Sequence, residues 1–244
     1  MPRTISWFSC GAASAVATKL AIANADDVVV AYCKVKEEHP DNERFLKECE
    51  EWFGQEIVIL ENDKYDASIY TVFEKTKFIK TPYGAPCTRL LKKDVRKGFE
   101  RPDDRQVFGY TIEEEHRLDR FIDANNDVDV WPILIERSLT KEDCLAMISE
   151  AGIELPEMYK LGYRNNNCIG CVKGGMGYWN KIRQDFPDHY DRMAKIERQL
   201  GYTVLKDKDG AVYLDELQEG RGDYPSEYDI ECGIFCHMAQ NEYK

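Results

Sequence analysis

Two groups of residues in this sequence have the types and spacing to do chemistry. The first is cysteine, of which there are nine in 244 residues. Cys168-Ile169-Gly170-Cys171 sets two thiols at the spacing that lets both reach one metal ion, with Gly170 permitting the tight turn between them. Taken alone, the pair could serve zinc, an iron–sulfur cluster or a redox disulfide. Cys87 follows Pro86 in a turn before a basic helix, and Cys232 and Cys236 form a second close pair in a polar, acidic tail. The loops around these five lack the histidines that zinc often recruits, while Arg89, Lys92 and Lys173 stand near them in sequence. Cys10, Cys33, Cys49 and Cys144 lie in apolar or helical contexts and read as ordinary buried thiols.

The second group is Ser9-Cys10-Gly11-Ala12-Ala13-Ser14, a small-residue loop between a strand and a helix. Small side chains let backbone N–H groups approach an anion, and the helix N-terminus adds partial positive charge. A tight turn packed for its own sake needs the same residues. Neither a Gly-x-x-x-x-Gly-Lys-Ser/Thr P-loop nor a Gly-x-Gly-x-x-Gly fingerprint occurs anywhere.

These residues need a scaffold, and the hydrophobic pattern describes one. Thr4–Phe8, Asp27–Tyr32 and Glu56–Leu60 are short apolar runs typical of buried parallel strands, separated by helix-patterned stretches at 13–24 and 40–53. Further strands are expected over Gln106–Tyr110 and Val128–Ile135, with helices over 67–73, 88–99, 113–124 and 140–151. Thr140 and Asp143 form a capping-box pattern at the start of the last of these. Alternating strands and helices imply a mostly parallel five-stranded sheet in a three-layer α/β/α fold over residues 1–161. Residues 162–244 read as a C-terminal helical and loop subdomain. It carries the Cys168/Cys171 loop, a long helix over 178–200, a hairpin turning at Asp209-Gly210, and the tail.

The composition restricts the function classes. With 43% apolar and 32% charged residues, the chain can build a core under a soluble surface. No stretch approaches the roughly 18 apolar residues of a membrane span, and no signal-peptide region opens the chain, which implies a cytoplasmic protein. The net charge of −12 disfavours a nucleic acid as the principal ligand, although basic residues gather at 75–80 and 89–101. In a reducing compartment the cysteines are expected as thiols or metal ligands rather than structural disulfides.

Ser9–Ser14 resembles the PP-loop (Ser-x-Gly-x-x-Ser) of the adenine nucleotide α-hydrolase-like superfamily. That group includes sulfonucleotide reductases, ATP pyrophosphatases and tRNA thiolation enzymes. Glu38-His39-Pro40-Asp41-Asn42 resembles the segment after the second strand in 3'-phosphoadenylylsulfate (PAPS) reductase-like proteins. Gly109-Tyr110 with Glu114, Glu115 and Arg117 is similar to their Gly-x-Arg…Glu-Ser-x-Arg segment. Trp131-Pro132-Ile133 and Tyr159–Cys171 look like their Pro-Ile…Gly-Tyr…Gly-Cys-x-x-Cys run, and Glu231–Phe235 like their C-terminal Glu-Cys-Gly-Leu/Ile-His. The matches cover most of residues 4–172 and the tail.

What the resemblance implies is specific. Ser9–Ser14, Lys34, Gly109 and Arg117 would bind an adenine nucleotide, either ATP or the sulfonucleotides PAPS and APS, with Mg²⁺ as an accompanying ion. Cys87, Cys168 and Cys171 would ligate a [4Fe–4S] cluster. The cluster-bearing reductases have adjacent cysteines at the first position; here Pro86 precedes Cys87 and leaves three ligands. Either Cys236 or Cys232 closes the set, or one iron stays open to a sulfide or substrate sulfur. Cys232 would also be the nucleophile that takes sulfur from a sulfonucleotide, forming a thiosulfonate that a thioredoxin-like reductant releases. Phe235 replaces the family's histidine, with His237 two residues on, which weakens that assignment. A rival within the superfamily is an ATP pyrophosphatase that adenylates a base or nucleic acid for sulfur insertion, fed by a cysteine desulfurase. A rival from another class is a non-catalytic nucleotide-binding protein. For Lys34, Glu114, Glu115 and Arg117 the plain reading is a solvated surface.

Overall fold

The computed structural model describes residues 3–81, 84–224 and 239–243. Strands β1 (Thr4–Phe8), β2 (Val28–Cys33), β3 (Ile57–Leu60), β4 (Arg105–Val107) and β5 (Asp129–Trp131) form one sheet in the order β3-β2-β1-β4-β5. Every pairing in it is parallel. All five residues of the central β1 are buried, which is why its sequence is apolar without alternation. The order reverses between β1 and β4, so a crevice opens at the carboxyl ends of those two strands.

Helix α1 (Ala12–Asn24) lies on one face of the sheet, beneath α2 (Asn42–Phe53) and the helix Lys141–Glu150. Val16, Leu20, Phe45, Leu145 and Met147 are fully or almost fully buried there. Each such side chain contributes roughly 1.5–3 kcal/mol of burial free energy. On the opposite face Ile5, Trp7 and Ala31 pack with Phe99 and Phe108, which completes the three layers. A second large cluster joins Tyr70, Phe73, Leu90 and Leu91 to Tyr163, Ile169 and Trp179. The region after residue 162 therefore shares its core with α3 (Ile69–Thr76) and the basic helix.

Several elements differ from the sequence-based expectation, each for a local reason. The strand expected over Val128–Ile135 stops at Trp131, because Pro132 has no N–H for the ladder, and Ile133–Glu136 turns helical instead. β4 ends at Val107, so Phe108, Gly109 and Tyr110 leave the sheet edge for the crevice. The long helix over 178–200 is two helices, Met176–Asp185 and Pro187–Leu200. Pro187 disfavours the helical region for the residue before it, and Phe186 sits at φ −138°. The basic helix spans Pro86–Thr88, a π-helical turn Arg89–Lys93, and Asp94–Phe99. The Thr140/Asp143 capping box forms as expected, and Gly54 ends α2 with a left-handed φ of +75°. β6 (Leu205–Asp207) and β7 (Gly210–Val212) make the hairpin, its turn held by Asp207 Oδ1 accepting from the N–H groups of Asp209 and Gly210. Among the described residues no helix is long and apolar enough to cross a membrane.

Candidate functional site

β1 delivers the chain to the crevice, and the Ser9–Ser14 loop wraps back on itself there. Ser14 Oγ accepts from Ser9 N and Ser9 Oγ, both at 3.0 Å, and donates to Gly11 O at 2.9 Å. Cys10 takes a left-handed φ of +54°, an unfavourable conformation for a residue with a Cβ. Asn166 stabilises that turn from 156 positions away, donating Nδ2 to Cys10 O at 2.6 Å and to Asn42 Oδ1 at 2.8 Å. Gly109 closes the loop from the β4 side. A Cβ built there would fall 2.6 Å from Ser14 N and 2.9 Å from Ala13 C, closer than any side chain allows.

Two cavities meet at this loop. The first, about 560 Å³, is lined by Ser9, Gly11, Ala13 and Ser14 of the cradle, with Lys141, Tyr159 and Arg164 opposite. The second, about 370 Å³, is lined by Trp7, Phe8, Phe108, Tyr110 and Phe121 together with Lys92, Lys93, Arg96 and Arg117. Ser9, Gly109 and Glu114 belong to both, so one elongated ligand could span them. The second cavity combines aromatic walls with cations: the Arg96 guanidinium lies 5.1 Å from the Phe108 ring centre and 5.3 Å from that of Phe121. A flat base with acidic substituents suits that lining.

The residues singled out by sequence fall in different places. Ser9, Gly11, Ala13, Ser14 and Gly109 line the first cavity, and Ala12 presents its N–H at the start of α1. The Cys10 side chain is fully buried, its thiol held well above the ordinary range by burial and by the nearby Glu38 carboxylate. Arg117 lines the second cavity, paired with Glu114 and 5.7 Å from the Tyr110 ring centre. Lys34 lines neither cavity and pairs with Glu61 at 3.3 Å. Lys141, Tyr159 and Asn166 were missed as cleft residues. Only the capping box beside Lys141 hinted that its position is pinned.

The thiols form a separate feature behind the second cavity. Cys87 lies in the first helical turn after Pro86, and Cys168 and Cys171 flank Gly170 at φ +72°. The Tyr178 hydroxyl ties the pair together, accepting from Cys171 N at 2.9 Å and donating to Cys168 O at 3.3 Å. Gly174 makes room for that ring, since a Cβ there would overlap Tyr178 Cδ1. Burial pushes the Cys87 thiol up to about 11, with the Cys171 charge adding to it. Cys168 is held well above its ordinary value by burial, opposed by Lys92 and reinforced by Glu38, Cys171 and Cys87. The three thiols thus lie within electrostatic reach of one another.

Lys92 joins the two features. It lines the second cavity, pairs with the buried Glu38 carboxylate at 3.0 Å, and acts on the Cys168 sulfur. Burial opposes its charge, but Glu38 and Cys168 outweigh that and hold the ammonium above its usual range. Among the described residues, no three cysteine, histidine or acidic side chains are drawn close enough to be gripping a metal ion. Lys80, Lys92 and Lys173 lie within electrostatic reach of these thiols, and three thiols alone supply neither the four ligands of a structural zinc site nor the four of a closed iron–sulfur cluster. Cys232 and Cys236 lie outside the described residues. The chain reaches Tyr224 beside this site: its hydroxyl accepts from Arg164 N at 3.0 Å, and its ring packs 5.7 Å from that of Tyr178.

A family model, that of the phosphoadenosine phosphosulfate reductase domain, matches residues 3–175. No curated protein and no solved structure matches the chain.

Proposed function

The chain belongs to the phosphoadenosine phosphosulfate reductase domain family, and on that premise we propose that it is a cytoplasmic, adenine-nucleotide-dependent sulfur-handling enzyme with a [4Fe–4S] cluster. The observation that carries this reading is Lys92, one cation shared by the aromatic cavity and the Cys168 thiol. Cavities without thiols would suit any nucleotide-binding protein. Thiols without the cradle would suit any metal site.

In this reading the nucleotide lays its acidic groups on the Ser9–Ser14 cradle, with Mg²⁺ as counter-ion, and its base in the aromatic cavity. Cys87, Cys168 and Cys171 would hold the cluster, which would supply a polarisable, electron-rich group to the site. Cys232 supplies the nucleophile: its thiolate attacks the sulfur of a sulfonucleotide, a sulfur–sulfur bond forms, and the sulfur–oxygen bond to the nucleotide phosphate breaks. A thioredoxin-like dithiol then gives two electrons, releasing sulfite and regenerating the thiol. Tyr224 supports the assignment, because it anchors the chain eight positions before Cys232 against the Cys168–Cys171 loop.

Anaerobic purification, with iron and sulfide analysis and sulfite release from PAPS or APS, tests the proposal. We expect about four irons per chain, sulfite release, and its abolition in Cys232→Ser with nucleotide affinity intact. A colourless protein containing zinc would overturn the cluster. Pyrophosphate and AMP formed from ATP without sulfite would replace the reductase with an adenylating enzyme fed by a cysteine desulfurase, while tight nucleotide binding with neither reaction would make it a binding protein.

A further inference from the structure

We propose that a basic groove on the outer side of the thiol turns binds a single strand of nucleic acid by its phosphates. The site is separate from the crevice at Ser9–Ser14 and independent of what that crevice holds.

The groove joins two cavities, of about 1110 Å³ and about 400 Å³. Thr81, Gly84, Ala85 and Lys173 line both, so the two form one trough. Its walls are the turn leading into Cys87, the turn following Cys171, and the Leu205–Asp207/Gly210–Val212 hairpin. A concave trough admits an extended chain, whereas a folded partner needs a face of matching shape.

The charge of this trough stands against that of the rest of the chain. Arg89 and Lys93 line the smaller cavity, Lys80 and Lys206 the larger, and Lys173 both. Arg89, Lys93, Lys173 and Lys206 are exposed, and none of the four has a carboxylate partner among the described residues. Lys92 and Arg96 on the same basic helix do, in Glu38 and Glu100. Asp207 is the single acidic residue in the described lining, and Arg221 pairs with it at 2.6 Å. The Ser9–Ser14 cavity, by contrast, has Glu113, Glu114 and Glu142 in its wall.

These cations are close enough to act on one another. Burial lowers the Lys80 ammonium from its ordinary value, Cys171 and Glu197 oppose that, and Lys206 adds to it. Like charges gathered without counter-charges are unfavourable until a polyanion arrives. The net charge of −12 does not set the field here, because exposed charges beyond about 8 Å are largely screened at physiological salt.

An aromatic ledge completes the site. Phe78 lines the smaller cavity and packs edge-on against Tyr202, with 5.6 Å between ring centres, and Tyr202 is 48% exposed. Cations that track a backbone beside a ring that takes a base are the two parts of a sequence-tolerant single-strand site. A row of carboxylates on a protein would engage the cations and leave the ring idle.

Fluorescence anisotropy of the full chain with labelled oligo(dT) and oligo(U) strands of about 12 nucleotides tests this. Roughly micromolar binding of at least one strand is expected at low salt. Log K should fall against log salt with a slope of about −3, the value for four phosphates neutralised on a single strand. Arg89→Gln, Lys173→Gln and Lys206→Gln should each weaken binding severalfold and flatten the slope by about 0.7. Lys47→Gln, at an exposed lysine of α2, should change neither. Tyr202→Ala should cost about fivefold or more at an unchanged slope. Excess AMP should leave the strand bound, and circular dichroism melts verify that each variant is folded. Absence of binding at low salt, indifference to all three groove substitutions in folded protein, or displacement by AMP would overturn the site. Equal or tighter binding of a poly(glutamate) peptide of matching charge would overturn it in favour of an acidic protein partner.

Discussion

Gly109 lies against Ser14 so closely that a Cβ at position 109 would come within 2.6 Å of the Ser14 N–H nitrogen. That approach brings the end of β4 against the start of α1 and makes the wall shared by both cavities. Gly109→Ala must push the two apart. We expect a destabilisation of about 1–3 kcal/mol from overpacking and at least a tenfold loss of ATP affinity, read by urea denaturation and calorimetry. A variant with wild-type stability would show that the approach is looser than described.

Tyr178→Phe removes the hydroxyl that bridges Cys171 N and Cys168 O. The ring stays, so the Gly174 contact is kept, but a part-buried N–H loses its partner, at a cost of about 1–3 kcal/mol. The clearer readout is local. In cluster-free protein, iodoacetamide alkylation of Cys168 and Cys171, followed by peptide mapping, should speed up severalfold relative to Cys87. Unchanged relative rates would mean the hydroxyl does not order this loop.

Gly177 and Gly222 interlock. A Cβ on Gly177 would fall 2.5 Å from the Asp223 carbonyl carbon, and one on Gly222 2.6 Å from Gly177 N. Asn180 reinforces the contact by donating to Gln218 O and Arg221 O. Gly177→Ala is expected to lever the 218–224 segment off the Met176–Asp185 helix. Trypsin cleavage after Arg221 should then accelerate severalfold while the α/β core stays resistant, as judged by mass spectrometry.

Glu197 gives a pH dependence with a definite sign. Its buried carboxylate accepts from Val204 N and Leu214 N, yet burial dominates and pushes it up to about 7. The folded chain therefore binds this proton more tightly than the unfolded chain, whose value lies near 4.5. The stability it contributes is complete below about 4.5 and is lost as pH rises through about 7. The urea midpoint of wild type minus that of Glu197→Gln should fall between pH 5 and pH 8 and then level off. A flat difference would place Glu197 in an ionised, well-solvated state.

Local chemistry was legible in the sequence, and the reason is range. Continuous apolar runs marked β1 to β3, the Thr140/Asp143 pair marked a helix start, and Cys168-Ile169-Gly170-Cys171 marked a turn with two thiols. Each depends on residues within a few positions of one another. Short-range signals also erred where a proline intervened, at Pro132 and Pro187, because the apolar pattern continues through a residue that the backbone cannot.

Convergence of distant residues was decided by the tertiary structure. Nothing local to Lys141, Tyr159 or Asn166 marks them as neighbours of a loop more than 125 positions earlier. Lys92 stands near Cys87 in sequence, but nothing around it foretells its pairing with Glu38. The small residues of Ser9–Ser14 were equally suited to a packing turn or an anion cradle. What the β3-β2-β1-β4-β5 order adds is the place of that loop: reversing direction between β1 and β4 opens a crevice above it and directs later segments to its rim.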